Sequence, residues 1–316
     1  MLSCMMFLKS LKDNTFISTN WYICTMIKLQ TPVTDSKNKV SISYSDKIMM
    51  LGSCFSDNIG EQLASLGFDV LVNPFGTLYN PVSILGSIEK MAEGYEFTNA
   101  DCIQIGAGDE RWCSFSHHTS FARQTPEEFI QNANQSLAKA AEFFRSCNKV
   151  IITLGTSWYF WHNEKDMIVS NCLKRPAAEF ERKRLAVSEI ADTLRKINAL
   201  CNSSEDGIQP KEFIFTVSPI RHFKDGAHGN QLSKSALLLG IDEVLEEIKA
   251  DYFPAYEIMM DELRDYRFYA EDMCHPTSQA TNYIRTRFLD WAMPSAEQPI
   301  LEEKARLWRQ ASHIKK

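Results

Sequence analysis

The stretch Lys47-Ile-Met-Met-Leu-Gly-Ser-Cys-Phe-Ser56 contains the clearest structural signal in the sequence. It begins as a short apolar run, which is the pattern of a buried strand, and Gly52 ends that run. Residues 57–66 then place apolar side chains at helical spacing, and Gly67 follows them as a stop signal. With a second apolar run at 68–72, this part of the chain predicts a strand, a tight turn, a helix and another strand.

The same alternation of apolar runs and amphipathic segments continues toward the C-terminus. Strands are predicted at 149–154, at 213–217 and near 253, and helices at 82–91, 126–146, 179–200, 231–249 and 276–293. Such alternation predicts an α/β fold, a three-layer sandwich whose parallel five-stranded sheet has a flavodoxin-like order and helices on both faces. The segments around 83–148 and 160–210 are predicted to be additions at the carboxyl ends of the strands, where they form a substrate lid.

Polar sequences stand where the predicted strands end. They are 52–54, 73–76, 155–157 and 218–222. In open parallel sheets, ligands bind outside the carboxyl ends of the strands. The sequence therefore predicts an active site at this edge of the sheet, built from residues that are far apart along the chain.

Composition excludes several classes of partner. The chain has 316 residues, a formal net charge of -6 and a pI near 5.7, so nothing predicts a general attraction to nucleic acid or to an anionic membrane. No apolar run approaches the roughly 18 residues of a membrane span. The nine cysteines are odd in number and form no Cys-x-x-Cys pair, which favours free thiols in a reducing compartment and hence a cytoplasmic location.

The two ends of the chain are predicted to lie outside the main domain. Charged residues interrupt the first 25 residues, so these lack the apolar centre of a signal peptide, and a more regular stretch begins at Met26. We expect residues 1–25 to be a disordered or mis-called extension, 26–300 to be the folded domain and 301–316 to be a C-terminal tail.

The turn at 52–56 offers two candidate nucleophiles, Cys54 and Ser53. A strand followed by a small-residue turn and a helix points backbone N–H groups and the positive end of the helix at one spot. A thiol at a helix N-terminus is expected to have a lowered pKa and to be a better nucleophile. The structural alternative is an ordinary strand-to-helix turn, with Ser53 as the N-cap and Cys54 buried.

The second element is Asp272-Met-Cys-His275, followed by Pro276. A carboxylate three residues before a histidine can accept the N–H of its imidazole. This fixes the tautomer and stabilises the imidazolium during proton transfer. Together the two elements supply a candidate nucleophile early in the chain and an Asp/His pair late in it, on a predicted parallel α/β scaffold.

Taken together, these motifs resemble the GSCFA family, a branch related to the GDSL/SGNH hydrolases. The resemblance covers nearly all of residues 30–300. Its name-giving motif reads Gly-Ser-Cys-Phe-Ser here, with Ser56 in place of the final alanine. The other similar blocks are 73–77, 218–222 and 272–276. The resemblance implies an SGNH hydrolase-like fold and an ester hydrolase or acyltransferase that uses a nucleophile-His-Asp triad.

Residue roles follow from the same resemblance. Aligning on the glycine puts Cys54 at the nucleophile position, whereas a shift of one residue chooses Ser53. The oxyanion hole of the GDSL enzymes implies Gly76 as one donor and Ser157 as another, standing where those enzymes have an asparagine. Candidate residues for substrate binding are Arg221, His222 and His118, of which Arg221 and His222 directly follow a predicted strand.

Two other classes of function stay open. The chain could be a non-catalytic acyl- or sugar-binding domain, which the serine at position 157 favours and the Asp272/His275 pair opposes. It could instead be a metal-dependent hydrolase or phosphoesterase, but its histidines lack His-x-x-x-His spacing, so no metal site and no cofactor are predicted. The expected partner is a small-molecule or carbohydrate acyl ester, and the oligomeric state is left open.

Overall fold

Parallel strands and flanking helices alternate through the computed structural model, which describes residues 31–34, 40–203 and 208–314. The strands are β1 (Lys47–Gly52), β2 (Asp69–Val72), β3 (Ile103–Gln104), β4 (Trp112–Cys113), β5 (Lys149–Leu154), β6 (Trp158–His162), β7 (Met167–Val169), β8 (Phe180–Arg184), β9 (Glu212–Val217) and β10 (Ala250–Tyr252). The main helices are α1 (Cys54–Ser65), α2 (Pro81–Glu93), α3 (Pro126–Ser146), α4 (Val187–Cys201), α5 (Gly226–Leu245), α6 (Ser278–Ala292) and α7 (Gln298–Ile314). The extension predicted at 1–25 lies outside the described residues.

The central sheet has five strands in the order β10-β9-β5-β1-β2, and every neighbouring pair is parallel. Counted along the chain within this sheet, the order is 2-1-3-4-5, the flavodoxin-like arrangement. The predicted α/β fold with a five-stranded parallel sheet is thus confirmed. The strand order reverses between β1 and β5, so the crevice for a ligand is expected at the carboxyl ends of these two strands.

Alternate residues of each strand face two separate helical layers. On β1, Met49 and Leu51 join the core beneath α2, α3, α4 and α5. Ile48 and Met50 join the opposite core, which also contains residues of α1 and α6. This alternation follows from the two-residue period of a strand, and it explains why the strands read as continuous apolar runs.

One predicted helix begins later than expected, because its first part is a strand. The prediction of a helix over 179–200 is wrong at its start, since β8 pairs antiparallel with β6 and α4 begins at Val187. Across this pairing Phe160 is opposite Arg182, and the Arg182 guanidinium lies 5.5 Å from the Phe160 ring centroid. Cross-strand pairing with an aromatic strand outweighs the helix propensity of the charged residues in β8.

The two segments that were predicted to form a lid occupy two different places in the fold. Helices α2, α3 and α4 pack on the sheet as one of its covering layers. The small antiparallel sheet β7-β6-β8 stands instead at the carboxyl ends of the main strands, where it contributes Trp158, Phe160 and Arg182 to a cavity. Within the described residues, every helix is too short or too polar to cross a lipid bilayer.

Candidate active site

The turn after β1 is pressed against β5. Gly52 has φ +136°, and a Cβ at this position would lie 2.1 Å from the carbonyl oxygen of Thr153. Only glycine fits such a close approach of two backbones. The N–H of Gly52 donates to Asn73 Oδ1 at 2.8 Å, and the N–H of Ser53 donates to Thr153 O at 3.1 Å. These contacts fix the direction in which helix α1 leaves the sheet.

Ser53 and Cys54 occupy different environments, although they are adjacent. Ser53 is fully buried, and its hydroxyl accepts the N–H of Phe55 at 3.3 Å as the N-cap of α1. Cys54 is the first residue of the helix, is only partly buried and lines a cavity. Of the two candidate nucleophiles, Cys54 is therefore the one that a substrate can reach.

The Cys54 thiol is less acidic than the sequence predicts. Burial raises its pKa above the ordinary value, and the nearby carboxylate of Asp57 raises it further. The backbone N–H groups of Cys54 and Phe55 and the charge of Lys234 act in the opposite direction without reversing the shift. The prediction of a lowered pKa is wrong, because desolvation of the thiolate exceeds the effect of the helix terminus. The resting group is a neutral thiol that needs a base.

The Asp272–His275 pair has the geometry of a base and the carboxylate that orients it. His275 Nδ1 lies 2.5 Å from Asp272 Oδ2, and Asp272 Oδ1 accepts the backbone N–H groups of Cys274 and His275, both at 2.9 Å. These hydrogen bonds, first of all that from the His275 N–H, lower the pKa of Asp272 to about 2. The carboxylate is therefore charged at neutral pH, and it favours the tautomer with the proton on Nδ1 and a free Nε2.

The loop that carries His275 is held against the end of β9. Met273 adopts a left-handed conformation with φ +57°, which turns the chain tightly between Asp272 and His275. The N–H of Arg221 donates to the carbonyl of Cys274 at 3.1 Å. Thr277 then caps α6, accepting the N–H of Ala280 at 3.2 Å. The backbone that follows β9 thus anchors the histidine loop.

One cavity of about 420 Å³ brings the two motifs together at the carboxyl edge of the sheet. It lies at the switch point between β1 and β5, where the fold predicts a ligand. Six of its lining residues combine the predicted motifs with one residue that was not predicted: Cys54, Asn80, Arg221, His222, Asp272 and His275.

The sequence profile described as the GSCFA family matches residues 47–288. The chain belongs to the GSCFA family. The matched range contains the Cys54 turn and the Asp272–His275 pair, and it ends inside α6. Comparison with curated proteins finds no match.

Three residues that the family resemblance suggested lie away from this cavity. The N–H of Gly76 donates to Asn73 O at 2.7 Å within its own turn, and Gly76 packs against the Cβ of His118. His118 Nδ1 lies 3.1 Å from Ser120 Oγ. Ser157 is fully buried, and both its N–H and its hydroxyl bond Ser233 Oγ, at 2.8 and 3.2 Å. In this GSCFA-family member, neither Gly76 nor Ser157 offers the cavity a free donor.

Arg221 and His222 both line the cavity, but only Arg221 brings a charge. The Arg221 guanidinium lies 4.2 Å from the ring centroid of Phe223 and 4.8 Å from that of Tyr269, and within the described ranges it forms no ion pair. Burial lowers the pKa of His222 to about 3, so this histidine is neutral near pH 7. His222 therefore lines the cavity as a neutral imidazole. Its buried Nε2 has no hydrogen-bond partner among the described residues.

Asn80 is a site residue that sequence reasoning missed. Its Oδ1 accepts the Ser83 N–H at 2.9 Å as the N-cap of α2, which directs the amide Nδ2 elsewhere. No acceptor for Nδ2 is found within the part of the chain that the structure describes. The sequence signal, an asparagine directly before Pro81 at a helix start, indicates only a cap. Its position in the cavity comes from the fold.

The side chains that could ligate a metal are dispersed through the described part of the chain. Across 40–203 and 208–310, no group of three or more His, Cys, Asp or Glu side chains is arranged to hold a metal ion. His117 is almost fully buried, bonds Ser114 Oγ at 2.8 Å and stacks on the Phe75 ring at 5.0 Å. That histidine is part of the core.

Proposed function

We propose that this protein is an ester hydrolase or acyltransferase that carries its acyl group on Cys54, as the resemblance to GDSL/SGNH enzymes suggests. One observation carries the proposal: Cys54 and the Asp272–His275 pair line the same cavity at the switch point of the sheet. A nucleophile, a base and a carboxylate that orients the base are the parts that covalent acyl transfer needs.

The chemistry follows from the hydrogen bond between His275 and Asp272. With its Nδ1 proton held by Asp272, His275 uses Nε2 to take the proton from the Cys54 thiol. The thiolate attacks the ester carbonyl, and the alcohol leaves with the proton that His275 returns. Water or a sugar hydroxyl, deprotonated by the same Nε2, then attacks the thioester; the C–S bond breaks, the acyl group is released, and His275 returns the proton to the Cys54 sulfur. Water gives hydrolysis, whereas a sugar hydroxyl gives transfer.

The choice of Cys54 over Ser53 rests on exposure and hydrogen bonding. The Ser53 hydroxyl is buried and capped onto the Phe55 N–H, so its attack would break a helix cap. The Cys54 thiol faces the cavity and, because its pKa is raised, depends on His275 for deprotonation. Such a thiol is unreactive until a base and a substrate are in place.

Asn80 and the backbone of Cys54 are the proposed oxyanion donors. Within the described ranges, the Cys54 N–H at the start of α1 donates to no backbone or side-chain oxygen. Asn80 lines the same cavity, and because its Oδ1 accepts the Ser83 N–H, its Nδ2 group is the part proposed to donate. Two fixed donors aimed at one oxygen are the arrangement that stabilises a tetrahedral intermediate.

The substrate proposed for this site is an acyl ester that carries an anionic group, on either a small molecule or a carbohydrate. Arg221 lines the cavity without a carboxylate partner among the described residues, so it is available to a carboxylate or phosphate. Arg221 and Phe223 also line a neighbouring cavity of about 340 Å³ with apolar walls that include Met259 and Leu263. We assign this second space to the acyl chain.

The state of the cysteines supports a reducing compartment. All seven cysteines that the structure describes are free thiols, and one of them is the proposed nucleophile. We therefore keep the cytoplasm as the proposed location.

Steady-state hydrolysis of p-nitrophenyl acyl esters tests the function. Cys54→Ala should lower kcat at least ~10³-fold, since it removes the nucleophile. The matched control is Cys172→Ala, which removes another partly exposed thiol that lies outside the cavity. Equal activity of the wild type and Cys54→Ala, with several acyl groups tried, would show that the proposal is wrong.

A further inference from the structure

Lys234 on helix α5 is a buried cation beneath the active site. Its side chain is 1% exposed, and Nζ donates to the carbonyl oxygens of Gly155 at 2.7 Å and Ser218 at 2.8 Å. Gly155 directly follows β5, and Ser218 directly follows β9. Lys234 thus joins the carboxyl ends of two neighbouring strands at the edge of the sheet that carries the cavity.

The charge of Lys234 is not balanced in the resting protein. No Asp or Glu of the described residues forms an ion pair with it, and two carbonyl groups supply partial charges only. Burying an unpaired ammonium is costly, and the desolvation lowers the pKa of Lys234 to about 7. The lysine is therefore close to losing its proton at neutral pH.

Three titratable groups on different elements face Lys234. They are Cys54 at the start of α1, His222 after β9 and Tyr256 after β10, whose ring centroid lies 5.8 Å from Nζ. Burial keeps His222 neutral and raises the pKa of the Tyr256 hydroxyl. Cys54 is the one member of this set that becomes an anion during the proposed reaction.

We propose that Lys234 is a positioning residue whose buried positive charge becomes the counter-charge of Cys54 when that residue is a thiolate. The inference rests on the proposed function only in taking Cys54 as the reactive group. Gly155, whose carbonyl Lys234 holds, packs against Ser53, the neighbour of Cys54, since a Cβ on Gly155 would lie 3.4 Å from the Ser53 Cβ. When His275 removes the thiol proton, the new negative charge therefore forms in the same turn that Lys234 supports, near a cation that had no ion-pair partner among the described residues. The two charges then stabilise each other, so the thiolate raises the pKa of Lys234 and Lys234 lowers that of Cys54.

This electrostatic role explains why a charged side chain, and not a neutral donor, occupies this buried position. A structural tie between two strand ends could be made by a neutral donor, without the cost of an unpaired charge. A cation that is destabilised at rest and stabilised by the thiolate favours the ionised nucleophile over the neutral one. Lys234 does so without touching the substrate, because its Nζ is held under the backbone of Gly155 and Ser218.

The test is the pH dependence of Cys54 alkylation by iodoacetamide, read by mass spectrometry of the peptide that contains Cys54 in the full chain. Lys234→Met should shift the apparent pKa of Cys54 upward by about one unit, so that alkylation at a fixed pH below this pKa slows about tenfold. Lys234→Arg, which retains the charge, should keep most of the wild-type rate. This readout needs no turnover, so it stays informative if Cys54 forms no acyl intermediate.

Lys211→Met is the matched control. Lys211 is 2% exposed and donates to the Gln209 carbonyl at 2.8 Å, but it stands just before β9, at the opposite edge of the sheet. Replacing Lys211 should leave the pH dependence of Cys54 alkylation unchanged. If Lys234→Met does not fold, Lys234→Gln keeps a donor for the carbonyls without the charge. A folded Lys234→Met or Lys234→Gln variant with the wild-type profile would overturn the proposal.

Discussion

At the scale of single residues, the candidate site combines groups held by different hydrogen bonds. Cys54 faces the cavity because Ser53 takes the capping role beside it. His275 is oriented by Asp272 within one tight loop. Asn80 is held by its cap bond to the backbone of α2, which leaves the amide nitrogen for the cavity. Local hydrogen bonds thus fix the side chains of His275 and Asn80 and occupy the hydroxyl of Ser53.

Replacing Asn80 by serine separates its two roles. Serine is about as good an N-cap as asparagine, so Asn80→Ser should change the free energy of unfolding by less than ~0.5 kcal/mol. The shorter side chain has no amide to reach the oxyanion, so kcat should fall about 10²–10³-fold. Urea unfolding and steady-state ester hydrolysis measure the two effects. Undiminished kcat in a stable variant would remove Asn80 from the oxyanion hole.

The sequence predicts some of these residues and misses others for a physical reason. The Asp272–His275 contact is local, spanning three residues, so its spacing alone indicates it. Asn80 and Ser157 depend on how distant segments pack: Asn80 reaches the cavity from the start of α2, whereas Ser157 is turned toward Ser233 on α5. Because side chains alternate between the two faces of a strand, a shift of one residue in where the strand ends turns a side chain toward the cavity or away from it.

At the scale of elements, the β1 turn depends on the contact between two strands. Gly52→Ala would place a Cβ 2.1 Å from Thr153 O at a positive φ, so it should lower the free energy of unfolding by about 3 kcal/mol or more. The control is Gly94→Ala, which also has a positive φ but no atom within 4 Å of the added Cβ. There the loss should be about 1–2 kcal/mol. Equal losses in urea unfolding would contradict the close approach of β1 and β5.

The element pattern was predictable where it is regular, and less so where side chains pair across strands. The prediction of α3 at 126–146 and of β5 at 149–154 matches the structure, because strong amphipathicity and a bounded apolar run leave little ambiguity. The segment 180–184 alternates aromatic and charged residues, and its strand state depends on a distant partner, β6. No window of the local sequence contains that partner.

At the scale of the whole molecule, a buried neutral histidine makes stability depend on pH. Burial lowers the pKa of His117 in the folded protein to about 3, whereas in the unfolded chain it is ordinary, about 6.5. The unfolded state alone binds this proton between these two values. The contribution of neutral His117 to the free energy of unfolding is therefore fully present above about pH 6.5. It is lost as the pH falls toward 3, by about 1.4 kcal/mol per pH unit.

Urea unfolding at pH 7, 6 and 5 measures this dependence. Acidification below pH 6.5 lowers the free energy of unfolding, and His117→Gln should make this decrease smaller by about 1.4 kcal/mol per pH unit. The exposed His228 provides the control, and His228→Gln should keep the wild-type slope. A slope unchanged by His117→Gln would contradict the assignment of a buried, neutral imidazole. His222, whose pKa is also lowered to about 3, accounts for part of the slope that remains.

The flavodoxin-like strand order brings distant parts of the chain to one edge of the sheet. It places the ends of β1, β5 and β9 at one edge, so that residues near positions 54, 80, 221 and 275 meet although some are more than 200 residues apart. The alternation of apolar runs predicts this sheet, and the sheet explains why polar turns gather at its carboxyl edge.

Single-turnover labelling with an activated acyl ester, followed by acid quenching and peptide mass mapping, shows whether Cys54 carries the acyl group. An acyl adduct should be found on Cys54 in the wild type and in Ser53→Gly, which keeps most of the helix cap. It should be absent from Cys54→Ala and form much more slowly in His275→Ala. Turnover of the ester with no adduct on Cys54, whichever acyl group is used, would show that Cys54 does not carry the acyl group.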